Sequence, residues 1–341
     1  MNRVYVLSSR KTAALGALLF IIILGLLVTL VDWSLVSKTL ARADVARLAA
    51  ATASLILGYA VYALRWRYLI KGRPTLSAAF HNANIGSMVN ALLPGRPGDA
   101  VRTLLLAGKC NLPTLEVASS VVVERWYEQI MRLAALGGAL ILGVGAGITG
   151  LTALGSLLYL TASYLIMIFL LQRRVWVLQK APPLAARLPR VSEESARQWL
   201  SNLIDGLSGV SQPRRLLAAL LWSTLSWTFF WGFHYLCLEA LHPQLTINSS
   251  LAISLATLAL VPPSATTAPG VYQVSMVIPL ALLGYNRHML TSYGLVMNVL
   301  EMLIVVLLGV FGMLSAGLPV NELVQRAKDA FAAEQSRLPP K

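Results

Sequence analysis

Apolar residues run along this chain in blocks of bilayer length, at about 13–31, 45–64, 126–146, 150–171, 215–239 and 290–317. Each is close to the ~20 residues a helix needs to cross a hydrocarbon core, so the pattern predicts about six spanning helices. Two more apolar stretches are broken in the middle. Residues 75–93 and 99–108 flank the break P-G-R-P-G, and residues 249–261 and 271–284 flank P-P-S-A-T-T-A-P-G. Irregular backbone at membrane depth is tolerated only where protein buries it or where it lines a watery cavity. Each broken stretch is therefore expected to be a re-entrant helical hairpin.

Composition agrees with the pattern. The chain of 341 residues is 57% hydrophobic and 12% charged, with a mean hydropathy of +0.68. This leaves too little polar surface for a water-soluble globule. The formal charge of +14 is carried between apolar blocks, as the positive-inside bias requires, so it points to anionic headgroups and not to nucleic acid. Arg3, Arg10 and Lys11, the cluster Arg65, Arg67, Lys71 and Arg73, and the run from Arg173 to Arg215 are all assigned to the cytoplasmic side. The Lys- and Arg-free loop from Glu239 to Asn248 is assigned outside.

With this assignment the first apolar block reads as an uncleaved span, being long for a signal peptide, and both termini are cytoplasmic. The first hairpin enters from inside and the second from outside. Helix two, hairpin one and helix three then repeat as helix five, hairpin two and helix six with opposite sense. The expectation is an all-α polytopic protein of the cytoplasmic (inner) membrane, built as an inverted repeat. Its transmembrane domain covers 1–320, with a cytoplasmic amphipathic loop at 172–214 and an interfacial tail at 321–341. Within the loop, 192–207 places Trp199, Leu200, Leu203, Ile204 and Leu207 on one helical face.

The candidate chemistry is ionic. In P-G-R-P-G-D-A-V-R, Pro94 and Gly95 end one half-helix, Asp99 is placed to cap the next, and Arg102 lies one turn inside it. Arg96 and Arg102 beside exposed amides suit a phosphate; the alternative is an interfacial loop whose arginines snorkel to headgroups. Glu124, Arg125, Glu128 and Arg132 share helical spacing. They form either an internal salt-bridge network or, through Arg125, the completion of an anion site. Glu301 lies mid-span without a basic neighbour in sequence. It is a functional candidate by cost, or else a hydrogen-bonded acid or a partner of Arg132. His81, Asn82, Asn84, Ser87 and Asn90 thread the first hairpin and must face protein or water. Cys110 and Cys237, and the four histidines, have no metal-site spacing, and no cofactor is expected.

The runs R-W-R-Y at 65–68, N-A-L-L-P-G-R-P-G-D-A-V-R at 90–102, E-R at 124–125 and P-S-A-T-T-A-P-G-V-Y-Q at 263–273 together resemble the lysylphosphatidylglycerol synthase transmembrane-region family. This is the flippase-like domain of multiple peptide resistance factors, also found free-standing. Members usually carry P-x-P-G-G-x-G-x-x-E in the second hairpin. Here Ala268-Pro269-Gly270 stands in its place, with Gln273 at the glutamate position, so Glu301 is the candidate to supply a carboxylate there.

The resemblance implies movement of a lipid with an anionic headgroup, a phospholipid or a polyprenyl-linked lipid, between leaflets. A separate lipid-modifying enzyme is an implied partner, and lysine transfer by this chain is not expected. The substrate-binding set is then Asn90, Pro94, Arg96, Gly98, Asp99, Arg102, Glu124, Arg125, Gly270, Gln273 and Glu301. The alternative is an integral-membrane enzyme or accessory subunit of lipid or glycolipid synthesis. An enzyme needs a positioned acid or base with a nucleophile or metal, for which Asp99, Glu124 and Glu301 are isolated candidates.

Overall fold

A computed structural model describes residues 33–93, 96–143, parts of 154–185, and 193–208, 213–260 and 271–316. The expected first span at 13–31, most of the block at 150–171, the hairpin tips at 94–95 and 261–270, and the tail at 321–341 lie outside the described residues. Among those described there are helices and no strands.

The helices are α1 (Trp33–Leu40), α2 (Val45–Leu69), α3 (Leu76–Leu92), α4 (Pro97–Cys110), α5 (Thr114–Ile141), α6 (Arg174–Ala185), α7 (Glu193–Ser208), α8 (Pro213–Leu241), α9 (Ile247–Leu260), α10 (Val271–Leu282) and α11 (Arg287–Ala316). Local chemistry sets several boundaries. Asp44 accepts from the Arg47 amide at 3.1 Å and Thr75 from the Ala78 amide at 3.1 Å, so α2 and α3 each start at a side-chain cap. The short helices α1 and α6 fall in stretches expected to be loop. The helix α5 begins at Thr114, well before the expected start near 126. Glu116, Ser119, Ser120 and Glu124 lower the local hydropathy, but no helix breaker lies among them and three of the four are buried.

This is an integral membrane protein, and its distribution of charge shows it. Three helices, Val45–Leu69, Arg214–Leu241 and Arg287–Ala316, are long and apolar enough to cross a bilayer. Leu57 on α2, Leu217 and Leu221 on α8, and Leu307 and Phe311 on α11 are exposed, whereas Arg65 and Arg102 are among the largest fully buried side chains. A soluble protein arranges these residue types the other way round.

The helices α2 and α8 run antiparallel along each other. The Asp44 amide donates to the Ala240 carbonyl at 3.0 Å, Ser54 Oγ to the Phe229 carbonyl at 2.7 Å, and Ser226 Oγ to the Gly58 carbonyl at 3.2 Å. Serine and glycine at this seam let the backbones approach and supply hydrogen bonds where hydrophobic force is absent. Around this pair the contacts of the two helix hairpins come in matched sets. Helix α3 packs on α11 and α9 on α5; α3 packs on α2 and α9 on α8; α4 packs on α3 and α5, and α10 on α9 and α11.

Candidate functional site

The first hairpin closes through the break motif itself. Asn90 Oδ1 accepts from the Gly98 amide at 2.7 Å, and Asn90 Nδ2 donates to Asp99 Oδ1 at 3.2 Å. Gly98 has to be glycine, because a Cβ there would lie 1.9 Å from the Gly86 carbonyl oxygen on α3. Arg96 is the N-cap of α4 in a left-handed conformation, φ 58° and ψ 44°. The helix thus starts before Asp99, which occupies its first turn instead of capping it, because Pro97 is pre-organised for the first helical position. Left-handed backbone is costly for a residue with a Cβ and concentrates at functional positions.

From the hairpin an ionic network extends into the bundle. Arg102 donates to both carboxylate oxygens of Glu124, Nη1 to Oε2 at 3.2 Å and Nη2 to Oε1 at 2.6 Å. Its guanidinium stacks 4.7 Å from the Trp66 ring centroid. Arg102 is 1% exposed and Glu124 0%. Glu124 also accepts from Tyr62 Oη at 2.5 Å and from Arg125 Nη2 at 3.1 Å. Asp99 faces Arg102 at 3.2 Å, Arg125 at 3.1 Å and Arg96 at 3.5 Å, and Arg125 pairs with Glu128. Within the 124–132 cluster, Glu124, Arg125 and Glu128 thus belong to a salt-bridge network with Arg125 at its edge.

Arg65, counted with the basic cluster at 65–73, is fully buried, 3.6 Å from Glu124 and 3.7 Å from Glu128, with Nη1 3.3 Å from Ser223 Oγ. Hydropathy cannot separate it from Arg67 two residues on. The usable signal was Tyr62, Arg65 and Trp66 at helical spacing, which puts an arginine among aromatic rings on one face.

Beside this network lies a cavity of about 220 Å³. Arg96, Arg125, Glu128 and Arg132 line it together with Tyr59, Tyr62 and Ser87, the aromatic side chains Trp227, Phe230 and Phe233, and His234 and Glu301. Arg125 Nε is buried with no hydrogen-bond acceptor among the described residues. Arg132 Nη1 donates to the Leu258 carbonyl at 3.1 Å, and its guanidinium lies 5.8 Å from the Trp227 ring centroid. No ion pair joins Arg132 to Glu301 within 4.0 Å. Among the described residues the network joins the guanidinium groups of Arg65, Arg96, Arg102 and Arg125 to the carboxylates of Asp99, Glu124 and Glu128.

Of the expected site residues, the structure brings Arg96, Arg125 and Glu301 to the cavity. Asn90, Gly98, Asp99, Arg102 and Glu124 form the hairpin closure and network that hold it. Pro94 and Gly270 lie outside the described residues, as does the side chain of Gln273. In the remainder of hairpin one, Asn82 and Asn84 are buried and donate to the Ala78 and Phe80 carbonyls, and His81 sits between the Phe80 and Phe311 rings. Among the described residues no group of three His, Cys, Asp or Glu side chains is placed to hold a metal.

The family model described as the lysylphosphatidylglycerol synthase TM region matches residues 13–309. A relative, the glycosyltransferase AglD of Haloferax volcanii, is 28% identical over 146 residues. That match covers 41% of this chain and 23% of AglD, so the chain spans about a quarter of that protein's length. No solved structure matches the chain.

Proposed function

The chain belongs to the lysylphosphatidylglycerol synthase transmembrane-region family, and from that membership and its cavity we propose that it is a lipid flippase or transporter. It moves a phospholipid or polyprenyl-linked lipid with an anionic headgroup between the leaflets of the cytoplasmic membrane. The observation that carries the reading is the cavity in which Arg96, Arg125 and Arg132 meet Trp227, Phe230 and Tyr59. Guanidinium groups suit phosphate oxygens, and aromatic walls suit the apolar part of an amphiphile.

The matched packing around α2 and α8 supports an inverted repeat. In this arrangement hairpins α3–α4 and α9–α10 enter from opposite sides, and the two halves rock about the cavity to expose it alternately. Both termini and the basic loops are cytoplasmic, and the transmembrane domain takes in residues 1–320. Arg96 and Arg125 contact the headgroup; Arg102 and Glu124 position them. The experiment is leaflet exchange of fluorescent anionic, zwitterionic and polyprenyl-phosphate lipids in proteoliposomes, beside Arg96→Ala/Arg125→Ala. Exchange that disappears in the double variant is expected; equal exchange in both would remove the site.

A second reading draws on AglD, named as a glycosyltransferase. Here the same cavity holds a lipid phosphate on behalf of a separate glycan-assembling enzyme. Exchange of no lipid, in folded protein that still binds lipid phosphates, would favour it.

A further inference from the structure

Glu301 differs from Glu128, the other carboxylate lining the cavity. Glu128 pairs with Arg125 and Arg65, whereas Glu301 has no ion pair or hydrogen bond among the described residues. It lies about half-way along the 30-residue helix α11, where an unpaired charge is costly enough to mark function. The groups facing it across the cavity are Tyr59 and Tyr62 from α2, Arg96 from hairpin one, Arg125, Glu128 and Arg132 from α5, and His234 from α8. His234 is already engaged, its Nδ1 3.2 Å from Tyr293 Oη. The arginines of the network have carboxylate partners of their own. One turn before Glu301 on α11, Asn298 is fully buried with neither amide atom hydrogen-bonded among the described residues. Unused polar capacity therefore lies next to it in the helix.

We propose that Glu301 is the proton-carrying group of the cavity, and that a proton on its carboxyl moves together with the lipid phosphate. This rests on the lipid-transport reading above. An anion bound at Arg96 and Arg125 repels a second negative charge in the same low-dielectric space. Phosphate binding and proton uptake by Glu301 therefore favour each other, and by linkage the coupling is reciprocal. The proton comes from water on the open side, sits on a carboxylate oxygen during passage, and is released with the headgroup on the other side. A phosphodiester headgroup and one proton cross as a neutral pair, so the membrane potential does not oppose the anion. With the outside acidic, the gradient drives the lipid toward the cytoplasmic leaflet.

The test separates this coupling from the reading beneath it. Purified full-length protein in neutral detergent is titrated calorimetrically with dioctanoyl phosphatidylglycerol, whose single phosphate charge is fixed near neutrality. Two buffers of different ionisation enthalpy are used, and dimethyl phosphate serves as the headgroup without tails. The expected result is uptake of about one proton per lipid bound, lost in Glu301→Gln and kept in Glu301→Asp. In the parent protein affinity rises at mildly acidic pH, and in Glu301→Gln it no longer varies with pH. Binding without proton uptake by the parent protein overturns the coupling and leaves the transport reading standing, as does uptake that survives Glu301→Gln. Failure of the lipid to bind folded protein, whether or not dimethyl phosphate binds, overturns the lipid reading itself.

Discussion

Replacing Glu124 by Gln keeps the side chain's shape and removes one charge from the centre of the network. Arg102 then loses two charge-assisted hydrogen bonds, at 3.2 and 2.6 Å, and Arg65 loses a carboxylate at 3.6 Å. Both arginines are at most 1% exposed, so water cannot replace what is lost. Removing one partner of a buried pair costs about 3–5 kcal/mol, since it strands the other charge. Here Asp99 still faces Arg102 at 3.2 Å and Glu128 still faces Arg65 at 3.7 Å, which puts the expected loss near the lower end, about 3 kcal/mol. The assay is unfolding of the protein in mixed micelles by added dodecyl sulfate, followed by tryptophan fluorescence. Arg102→Met and the double variant complete a thermodynamic cycle, and the double variant should recover at least about 1 kcal/mol over additivity. A Glu124→Gln protein within about 0.5 kcal/mol of the parent, or an additive cycle, would refute the claim that this charge holds the hairpin to α5.

Other outcomes follow from the same geometry. Gly98→Ala places a Cβ 1.9 Å from a backbone oxygen that cannot swing away; it should cost about 3 kcal/mol or more, read as loss of monodisperse protein in detergent. At Gly309 a Cβ would lie 2.4 Å from Met88 Cβ, so Gly309→Leu should part α3 from α11. A cysteine pair across that seam would then no longer crosslink. Arg102→Lys keeps the charge but loses the fork on Glu124 and the stack on Trp66, at a cost of about 1–3 kcal/mol in the same unfolding assay. At the end of α8, outside the spans, burial holds the His242 imidazole below its ordinary value, partly offset by a hydrogen bond with the Met289 backbone. The unfolded chain therefore binds the proton more readily. His242 contributes fully above its ordinary pKa of about 6.5, and that contribution is lost as pH falls from there toward the depressed value. Melting curves should flatten with pH in His242→Gln.

Much of the architecture was legible before any coordinate. Hydropathy and length are local properties, so the blocks at 45–64, 215–239 and 290–317 appear as α2, α8 and α11, and both broken stretches appear as helix pairs with bounds within a few residues. The break motif announced itself because proline, glycine and two arginines are too costly in apolar sequence to lack a purpose.

What sequence could not decide is where each charge points. Arg65 and Arg67 look alike along the chain, yet one is sealed against Glu124 and the other donates to the Pro74 carbonyl near the surface. Arg96 and Arg102 look like one pair, yet Arg96 lines the cavity while Arg102 lies behind it on Glu124. Glu301 meets Arg96 and Tyr59 around one cavity although more than two hundred residues separate it from either in the chain. These assignments depend on close contacts between helices, Gly98 on Gly86 within hairpin one and Gly309 on Met88 between α11 and α3, which fix the rotation of each helix. Helix formation is decided by neighbours within one or two turns. The rotation that turns a charge inward is decided by whichever partner packs against it, and only the assembled bundle contains that partner.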